Sequence, residues 1–202
     1  MDKFKSCNEF IKTKKDLEDL LEGYGIETYR WGNKGSKSVE DLFSEIERRK
    51  CELLIKNGQK LVRKVRVVGI NIHYHLKNID NTYVPLVLKE VMRIKKENGK
   101  YLTQNIIKRG HSSSVGKKLE LDEDFYEGAI ESLKSKLNIE PINKFENTKS
   151  YTQEMISPSY PDFLTIYEST EFDLTLTSTQ FHASGYCIER EKDLTILEWR
   201  II

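Results

Sequence analysis

The acidic residues in the middle of the chain are of the type that binds divalent cations. They lie in the first part of segment 116–139, GKKLELDEDFYEGAIESLKSKLNI, whose second part turns basic with Lys134 and Lys136. Carboxylate oxygens are the ligands that Mg²⁺ and Mn²⁺ prefer in proteins. The side chains that we predict as ligands of such a cofactor are Glu120, Glu123 and Glu127.

Some of these acids are also the candidates for catalysis in a metal-dependent hydrolase. Glu123, Glu127 and Glu131 follow one another at four-residue intervals, which would place them on one face of a helix. Glu90 could add a carboxylate from a neighbouring strand, so the catalytic candidates are Glu123, Glu127 and Glu90. The alternative is structural, because acids near the start of a helix stabilise it through the helix dipole.

A basic stretch before and within this segment is the second candidate site. It surrounds the serine run Ser112–Ser114 and precedes the predicted start of a helix. Ammonium and guanidinium groups bind phosphate, helped by backbone N–H donors at a helix start. The side chains that we predict to bind such a ligand are Arg93, Lys108, Arg109, Lys117 and Lys118. The alternative is a basic loop on the surface without a ligand.

An aromatic residue in a glycine-rich loop is the third candidate. Trp31, with Lys34 and Lys37 close by in sequence, could stack on a nucleotide base and pair with its phosphate. We therefore include Trp31 among the predicted ligand-binding residues. The alternative is that its ring packs the N-terminal helices onto the sheet.

The elements that must position these residues are predicted from periodicity and turn signals. Helical spacing predicts an opening helix over about 10–21, a second helix capped by Ser38 with Asp41, and a third that begins at Asp122 or Asp124 and ends near Leu137. Asn-Gly pairs at 57–58 and 98–99 predict hairpin turns, and 108–116 is predicted as a loop. Strands are predicted near 51–55, 60–76, 84–94, 101–107, 151–156, 163–168, 181–189 and 194–202.

This order of elements predicts an α+β fold: a mixed β-sheet with a central helix, preceded by an N-terminal helical extension. We predict that the extension, with one short strand, covers 1–58 and that an α+β domain covers 59–202.

Composition narrows the class of protein. The 202 residues carry a net charge of +1, with 32% charged residues and 38% hydrophobic ones. The apolar runs are too short to span a bilayer and the N-terminus has no secretory h-region, so we predict a cytoplasmic protein without a membrane partner, while a nuclear location stays open. The cysteines, Cys7, Cys51 and Cys187, fit reduced thiols better than disulfides. The oligomeric state stays open.

The segment 116–139 and the strands around it resemble the Nudix family. That family's signature is G-x5-E-x7-R-E-U-x-E-E-x-G-U, with U aliphatic, and its loop–helix–loop holds divalent cations against a diphosphate. The resemblance covers about 60–200 and implies an α/β/α sandwich. In register, Glu123 falls on the first Glu of the signature, and Leu133 and Ile139 fall on its aliphatic positions.

The chain departs from the signature where the family binds its metal. The Arg-Glu pair falls on Glu131-Ser132, and the Glu-Glu pair falls on Ser135-Lys136. Serine and lysine cannot replace two carboxylates, because a lysine ammonium would lie where the cation must lie. The resemblance therefore implies a degenerate Nudix box.

Three functions follow from these residues. The first is binding of a nucleotide or another phosphate-containing ligand without the standard hydrolase chemistry, and RNA binding is a variant of it. The second is a Nudix-type hydrolase of a nucleoside diphosphate derivative that uses displaced carboxylates with Mg²⁺ or Mn²⁺. The third is a scaffold domain that binds a protein partner.

Overall fold

The computed structural model describes residues 3–33, 35–107 and 113–202. Within those ranges, three α-helices accompany mostly antiparallel strand pairs, which confirms the α+β class. No helix of the described ranges is long and apolar enough to cross a membrane. The helices are α1 (Lys14–Gly23), α2 (Val39–Glu47) and α3 (Phe125–Leu137). The strands are β1 (Phe4–Ser6), β2 (Glu52–Lys56), β3 (Lys60–Lys77), β4 (Tyr83–Glu97), β5 (Lys100–Ile107), β6 (Val115–Lys118), β7 (Thr148–Ile156), β8 (Leu164–Thr175), β9 (Tyr186–Glu189) and β10 (Asp193–Ile201).

The chain divides into two compact units, and strands β3, β6, β7 and β8 have residues in both. The first unit contains Met1–Val67, Lys118–Glu123 and Ser150–Ser169, and the second contains Val68–Lys117, Asp124–Lys149 and Thr170–Ile202. The division into an extension at 1–58 and a domain at 59–202 stays a prediction of the sequence.

The helices of the first unit begin at reciprocal caps. Ser38 accepts the backbone N–H of Asp41 at 3.2 Å, and the Asp41 carboxylate accepts the N–H of Ser38 at 2.9 Å. Thr13 and Asp16 form the same capping box at the start of α1. Each box pairs N–H groups that a helix start otherwise leaves without a partner. The predicted cap at Ser38 is confirmed.

The start of the chain differs from the predicted opening helix. Phe10 ends a short 3₁₀ helix, and α1 begins only after Thr13. Because the Thr13 cap fixes the start of α1, Ile11 lies outside it and is buried in the core instead. Before this point, β1 pairs with β2, a contact between distant residues that local periodicity cannot predict.

One face of the first unit's strands packs against its helices. Leu17, Leu21 and Leu42 of the helices join Leu53 and Leu61 of the strands in one buried cluster. Burying a leucine side chain stabilises a fold by about 1.5–3 kcal/mol. A smaller cluster of Leu54, Val62 and Ile166 consists of strand residues alone.

In the second unit, all nine residues of β10 pair with β4, and β10 also pairs with β9. Asn98 and Gly99 connect β4 to β5 with φ values of 50° and 75°, as a two-residue hairpin turn requires. The hairpin prediction is confirmed there and at Asn57-Gly58, where φ is 53° and 73°.

Helix α3 agrees with the prediction at both ends. Asp124 caps its start by accepting the N–H groups of Tyr126 and Glu127, and Asn138 ends it in the left-handed region with φ of 53°. Glu123 precedes this cap, so the prediction that Glu123 shares a helical face with Glu127 and Glu131 is wrong.

Two other predictions need correction. The predicted strand near 181–189 is only Tyr186–Glu189, because the chain turns before it: Gly185 donates to the carbonyl oxygen of His182 with φ of 76°. The predicted loop at 108–116 includes Val115 and Gly116, which belong to β6.

Candidate anion-binding site

An irregularity in β4 brings an acid and a base to the same side of the second unit's strands. Glu90 pairs with Leu197 and Met92 pairs with Ile196, so Val91 is an extra residue in β4. An extra residue resets the alternation of side chains along a strand. Glu90 and Arg93, three residues apart, therefore meet, and the Nη2 atom of Arg93 lies 2.8 Å from Oε2 of Glu90.

This ion pair is partly buried, and each partner has a further polar atom that can form a hydrogen bond. The side chain of Glu90 is 7% exposed and that of Arg93 is 22% exposed. Among the described residues, neither Oε1 of Glu90 nor Nε of Arg93 has a hydrogen-bond partner, although both atoms are buried. Buried polar atoms nearly always have partners in folded proteins, so Nε of Arg93 fits an acceptor from water or a ligand, and Oε1 of Glu90, which only accepts, fits a donor such as water.

Helix α3 supplies a second cation. Gly128 and Ser132 lie on its buried face, and Lys136 continues that row one turn later. Lys136 donates from Nζ to the carbonyl oxygen of Gly116 in β6. Lys117, also in β6, forms an ion pair with Glu131 of α3. The ammonium group of Lys136 is thus held on the inner side of the helix.

Lys136 lies in the field of other cations. Burial lowers the pKa of Lys136 to about 8, and the charges of Arg190, Lys117 and Arg93 lower it further against the opposing effect of Glu131. A low lysine pKa of this origin marks a place where positive charge is concentrated and incompletely solvated. An anion bound there would stabilise the ammonium form.

Arg190 is held by the turn between β9 and β10. Its backbone N–H donates to the carbonyl oxygen of Asp193 at 2.8 Å, and its Nη1 lies 3.4 Å from that residue's carboxylate. Sequence reasoning did not select Arg190, and nothing local distinguishes it from other surface arginines. We define the basic cluster as Arg93, Lys117, Lys136 and Arg190.

The structure distributes the predicted phosphate-binding residues unevenly. Arg93 and Lys117 belong to the basic cluster. Lys118 lies in the first unit, where its Nζ is 2.7 Å from Oε1 of Glu45. Lys108 and Arg109 lie outside the described residues. Of the predicted residues that the structure describes, Arg93 and Lys117 lie in the same cluster as Lys136 and Arg190, whereas Lys118 does not. Their role in binding stays a prediction.

Trp31 is part of the core of the first unit. Its side chain is 6% exposed, its ring centroid lies 4.9 Å from that of Tyr160, and its Nε1 donates to the carbonyl oxygen of Pro161. This arrangement favours the packing alternative, because a buried indole has no free face for a base. A surface cavity of about 670 Å³ lies beside the same loop, with Tyr29 and Arg30 in its lining.

Two of the three predicted metal ligands, Glu120 and Glu123, are engaged in other contacts. In the first unit, Oε1 of Glu120 lies 3.1 Å from Nζ of Lys50, and the Glu123 carboxylate accepts the backbone N–H of Glu120. Glu127 is exposed on α3 in the second unit. Within the described ranges, no three His, Cys, Asp or Glu side chains lie close enough together to hold a metal ion. Binding of Mg²⁺ or Mn²⁺ stays a prediction.

Comparisons with known proteins add little to this geometry. No protein-family model matches the chain, and no curated protein matches it. Among solved structures, the crystal structure of C. elegans Ap4A hydrolase is similar over 68% of this chain and 80% of its own, with 12% sequence identity and a TM-score of 0.35. A likeness this low supports no inference about what this chain binds or does.

Proposed function

We propose that the second unit binds a phosphate-containing ligand, a nucleotide in particular, through the basic cluster and without Nudix-type hydrolysis. The observation that carries this proposal is the position of Lys136 on the inner side of α3, in the combined field of Arg93, Lys117 and Arg190. Arg93, Lys117 and Arg190 are each paired with a carboxylate, of Glu90, Glu131 and Asp193 respectively, so the surplus positive charge of the cluster is that of Lys136. A surplus positive charge attracts an anion.

The geometry of the cluster suits phosphate oxygens. Lysine ammonium groups bind phosphate as point charges, and guanidinium groups bind it through paired N–H donors. The Nε–H of Arg93 has no hydrogen-bond partner among the described residues, and the Nη2 atom of the same guanidinium group is held by Glu90. A side chain that is already held in place loses less conformational entropy on binding.

The same cluster argues against metal-assisted hydrolysis at this place. Lys136 brings a fixed positive charge to the carbonyl oxygen of Gly116, in the part of segment 116–139 where the Nudix resemblance expects two metal-binding carboxylates. An ammonium group can attract a phosphate, but it cannot activate a water molecule as a coordinated metal does. The order of the elements and segment 116–139 support a Nudix-like sandwich that has lost this chemistry.

A ligand panel in a thermal-shift assay tests the proposal. ADP, ATP and pyrophosphate should raise the unfolding temperature, because a ligand that binds only the folded state stabilises it. Adenosine, which lacks phosphate, should have little effect, and the response should not require Mg²⁺. Failure of every phosphate compound to raise the temperature would rule the proposal out. Release of phosphate that requires Mg²⁺ and is lost in Glu123→Gln would favour the hydrolase instead, and a response to RNA alone would favour the RNA-binding variant.

A further inference from the structure

A buried arginine lies in the core of the first unit. On β3, the side chain of Arg63 is 2% exposed, and it alternates with Val62, which belongs to the separate strand cluster. It shares its side of the strand with Leu61, which packs against the helices. Burying a guanidinium group is unfavourable unless other groups neutralise it and satisfy its N–H donors.

The carboxylate that neutralises Arg63 also pairs with two lysine ammonium groups. Glu45 on α2 accepts from Nη2 of Arg63 at 2.5 Å with Oε2, and its Oε1 accepts from Nζ of Lys118 at 2.7 Å and from Nζ of Lys37. Three positive charges therefore surround one carboxylate. Asp41 also acts on Tyr160, and counting it with Glu45 against Arg63, Lys37 and Lys118 still leaves one surplus positive charge. The thiol of Cys51 lies within hydrogen-bonding reach of the Arg63 side chain but stays neutral, since burial raises its pKa to about 11, so it supplies no negative charge.

Two buried polar atoms of this cluster have no partner among the described residues. They are Nε of Arg63 and the hydroxyl oxygen of Tyr160, whose side chain is fully buried. The guanidinium carbon of Arg63 lies 4.9 Å from the centre of the Tyr160 ring. Both groups can donate a hydrogen bond, so the missing partner is an acceptor.

We propose that this cluster binds a small monovalent inorganic anion, with the Nε–H of Arg63 and the hydroxyl of Tyr160 as donors. Lys37 and Lys118 supply the remaining positive charge, and their side chains are 42% and 29% exposed. The anion neutralises the surplus positive charge beside Glu45 and accepts hydrogen bonds from both donors. The first unit is therefore most stable when the anion is bound.

A depressed lysine pKa agrees with this surplus. Burial and repulsion from Arg63 lower the pKa of Lys118 to about 8, although Glu45 attracts its charge. The ammonium form of Lys118 thus destabilises the folded state fully below pH 8, and this effect fades as the pH rises from 8 towards 10.5, the ordinary pKa of lysine. A bound anion would offset it at neutral pH.

Chloride is the probe for the first test, with the full-length protein. Its unfolding temperature is measured as sodium chloride replaces sodium gluconate at constant ionic strength, so that screening stays the same. We expect a saturable rise in chloride. A temperature that does not depend on which anion is present would overturn the proposal.

The variant Tyr160→Phe makes the test specific, because it keeps the ring and removes only the hydroxyl. In gluconate we expect the variant to be at least as stable as the wild type, which there buries a hydroxyl without a partner. The chloride concentration at half-saturation should rise roughly tenfold in the variant, the factor that one hydrogen bond to an ion contributes. Tyr29→Phe, at a tyrosine that is 71% exposed, is the matched control and should behave as the wild type does. Equal chloride responses in Tyr160→Phe and the wild type would contradict the assignment of the donor.

Crystals grown in sodium bromide provide an independent test. Bromide scatters anomalously, so its position can be distinguished from that of a water molecule. We expect an anomalous peak within hydrogen-bonding distance of Nε of Arg63 and the Tyr160 hydroxyl. A water molecule at that position without anomalous signal would overturn the proposal.

Discussion

Lys136 donates a hydrogen bond from its ammonium group to the carbonyl oxygen of Gly116, and so joins the end of α3 to β6. This contact holds a cation on the buried side of the helix, near Arg93, Lys117 and Arg190. A positive charge that the protein itself supplies at this point can attract phosphate without a metal ion. The predictions below begin with the consequences of that contact.

Replacing Lys136 by glutamine should weaken binding of ADP. The variant loses a charged donor, and hydrogen bonds to charged groups contribute about 1.5–3 kcal/mol, so the Kd should rise roughly tenfold to a hundredfold. Isothermal titration calorimetry measures this change directly. Lys134→Gln is the matched control, because Lys134 is exposed on the same helix and pairs with Glu140. Equal affinities for the two variants would remove Lys136 from the site.

Binding should also depend on pH in a direction set by Lys136. The pKa of Lys136 is lowered to about 8 by burial and by Arg190, Lys117 and Arg93, so its charge is present below pH 8 and is lost above it. We expect the affinity for ADP to be constant near pH 7 and to fall above pH 8, by at most roughly tenfold per pH unit. Titrations at several pH values in one buffer system measure the profile.

The variant Lys136→Arg separates this charge from other titrating groups. Arginine stays protonated throughout the range, so the decline above pH 8 should be absent or much reduced in the variant. The same decline in both proteins would assign the pH dependence to another group.

In the first unit, Glu45 should account for much of the loss of stability in acid. Burial alone would raise its pKa, but the charges of Arg63 and Lys118 outweigh burial and lower it to about 2. Its ionised form therefore stabilises the folded state fully above pH 4.5, and this contribution disappears as the pH falls towards 2. From the size of the shift, it amounts to about 3 kcal/mol.

Urea unfolding of Glu45→Gln at pH 6 and pH 3 measures that contribution. The variant should be less stable by about 3 kcal/mol at pH 6, and the difference from the wild type should shrink at pH 3. Glu40→Gln serves as the control, because Glu40 lies on the same helix and is exposed. A difference between the wild type and Glu45→Gln that does not change with pH would contradict the assigned pKa.

Any side chain added at Gly185 should lower the free energy of unfolding. A Cβ at this position would overlap the carbonyl oxygen of Leu197 in β10, and the backbone has φ of 76°. Gly99, with φ of 75° and no atom near its would-be Cβ, shares the backbone conformation without the overlap. Gly185→Ala should therefore lose about 1–3 kcal/mol more free energy of unfolding than Gly99→Ala. Equal losses in urea unfolding would show that the backbone conformation alone matters.

The parts of the fold that depend on neighbouring residues could be predicted from the sequence. The Asn98-Gly99 turn needs two positive φ values, and the Ser38 cap needs an acid three residues later, so short patterns specify both. β1 could not be predicted in this way, because three residues become a strand only by pairing with β2.

The candidate site, like β1, depends on contacts between distant residues that local sequence patterns do not show. Arg93 was predicted from its charge, but its contact with Glu90 depends on the extra residue Val91, which only the register of β4 against β10 reveals. Arg190 joins the basic cluster through the turn before β10, and no local pattern marks it. The sequence shows which charges are present, whereas strand register and turns determine which of them meet.

The most direct test is a crystal structure of the protein with ADP in the absence of divalent cations. We predict that the phosphate oxygens of ADP bind Nζ of Lys136 and the guanidinium group of Arg93. Phosphates bound elsewhere on the protein, or bound only after Mg²⁺ is added and coordinated by Glu120, Glu123 or Glu127, would contradict the proposed function.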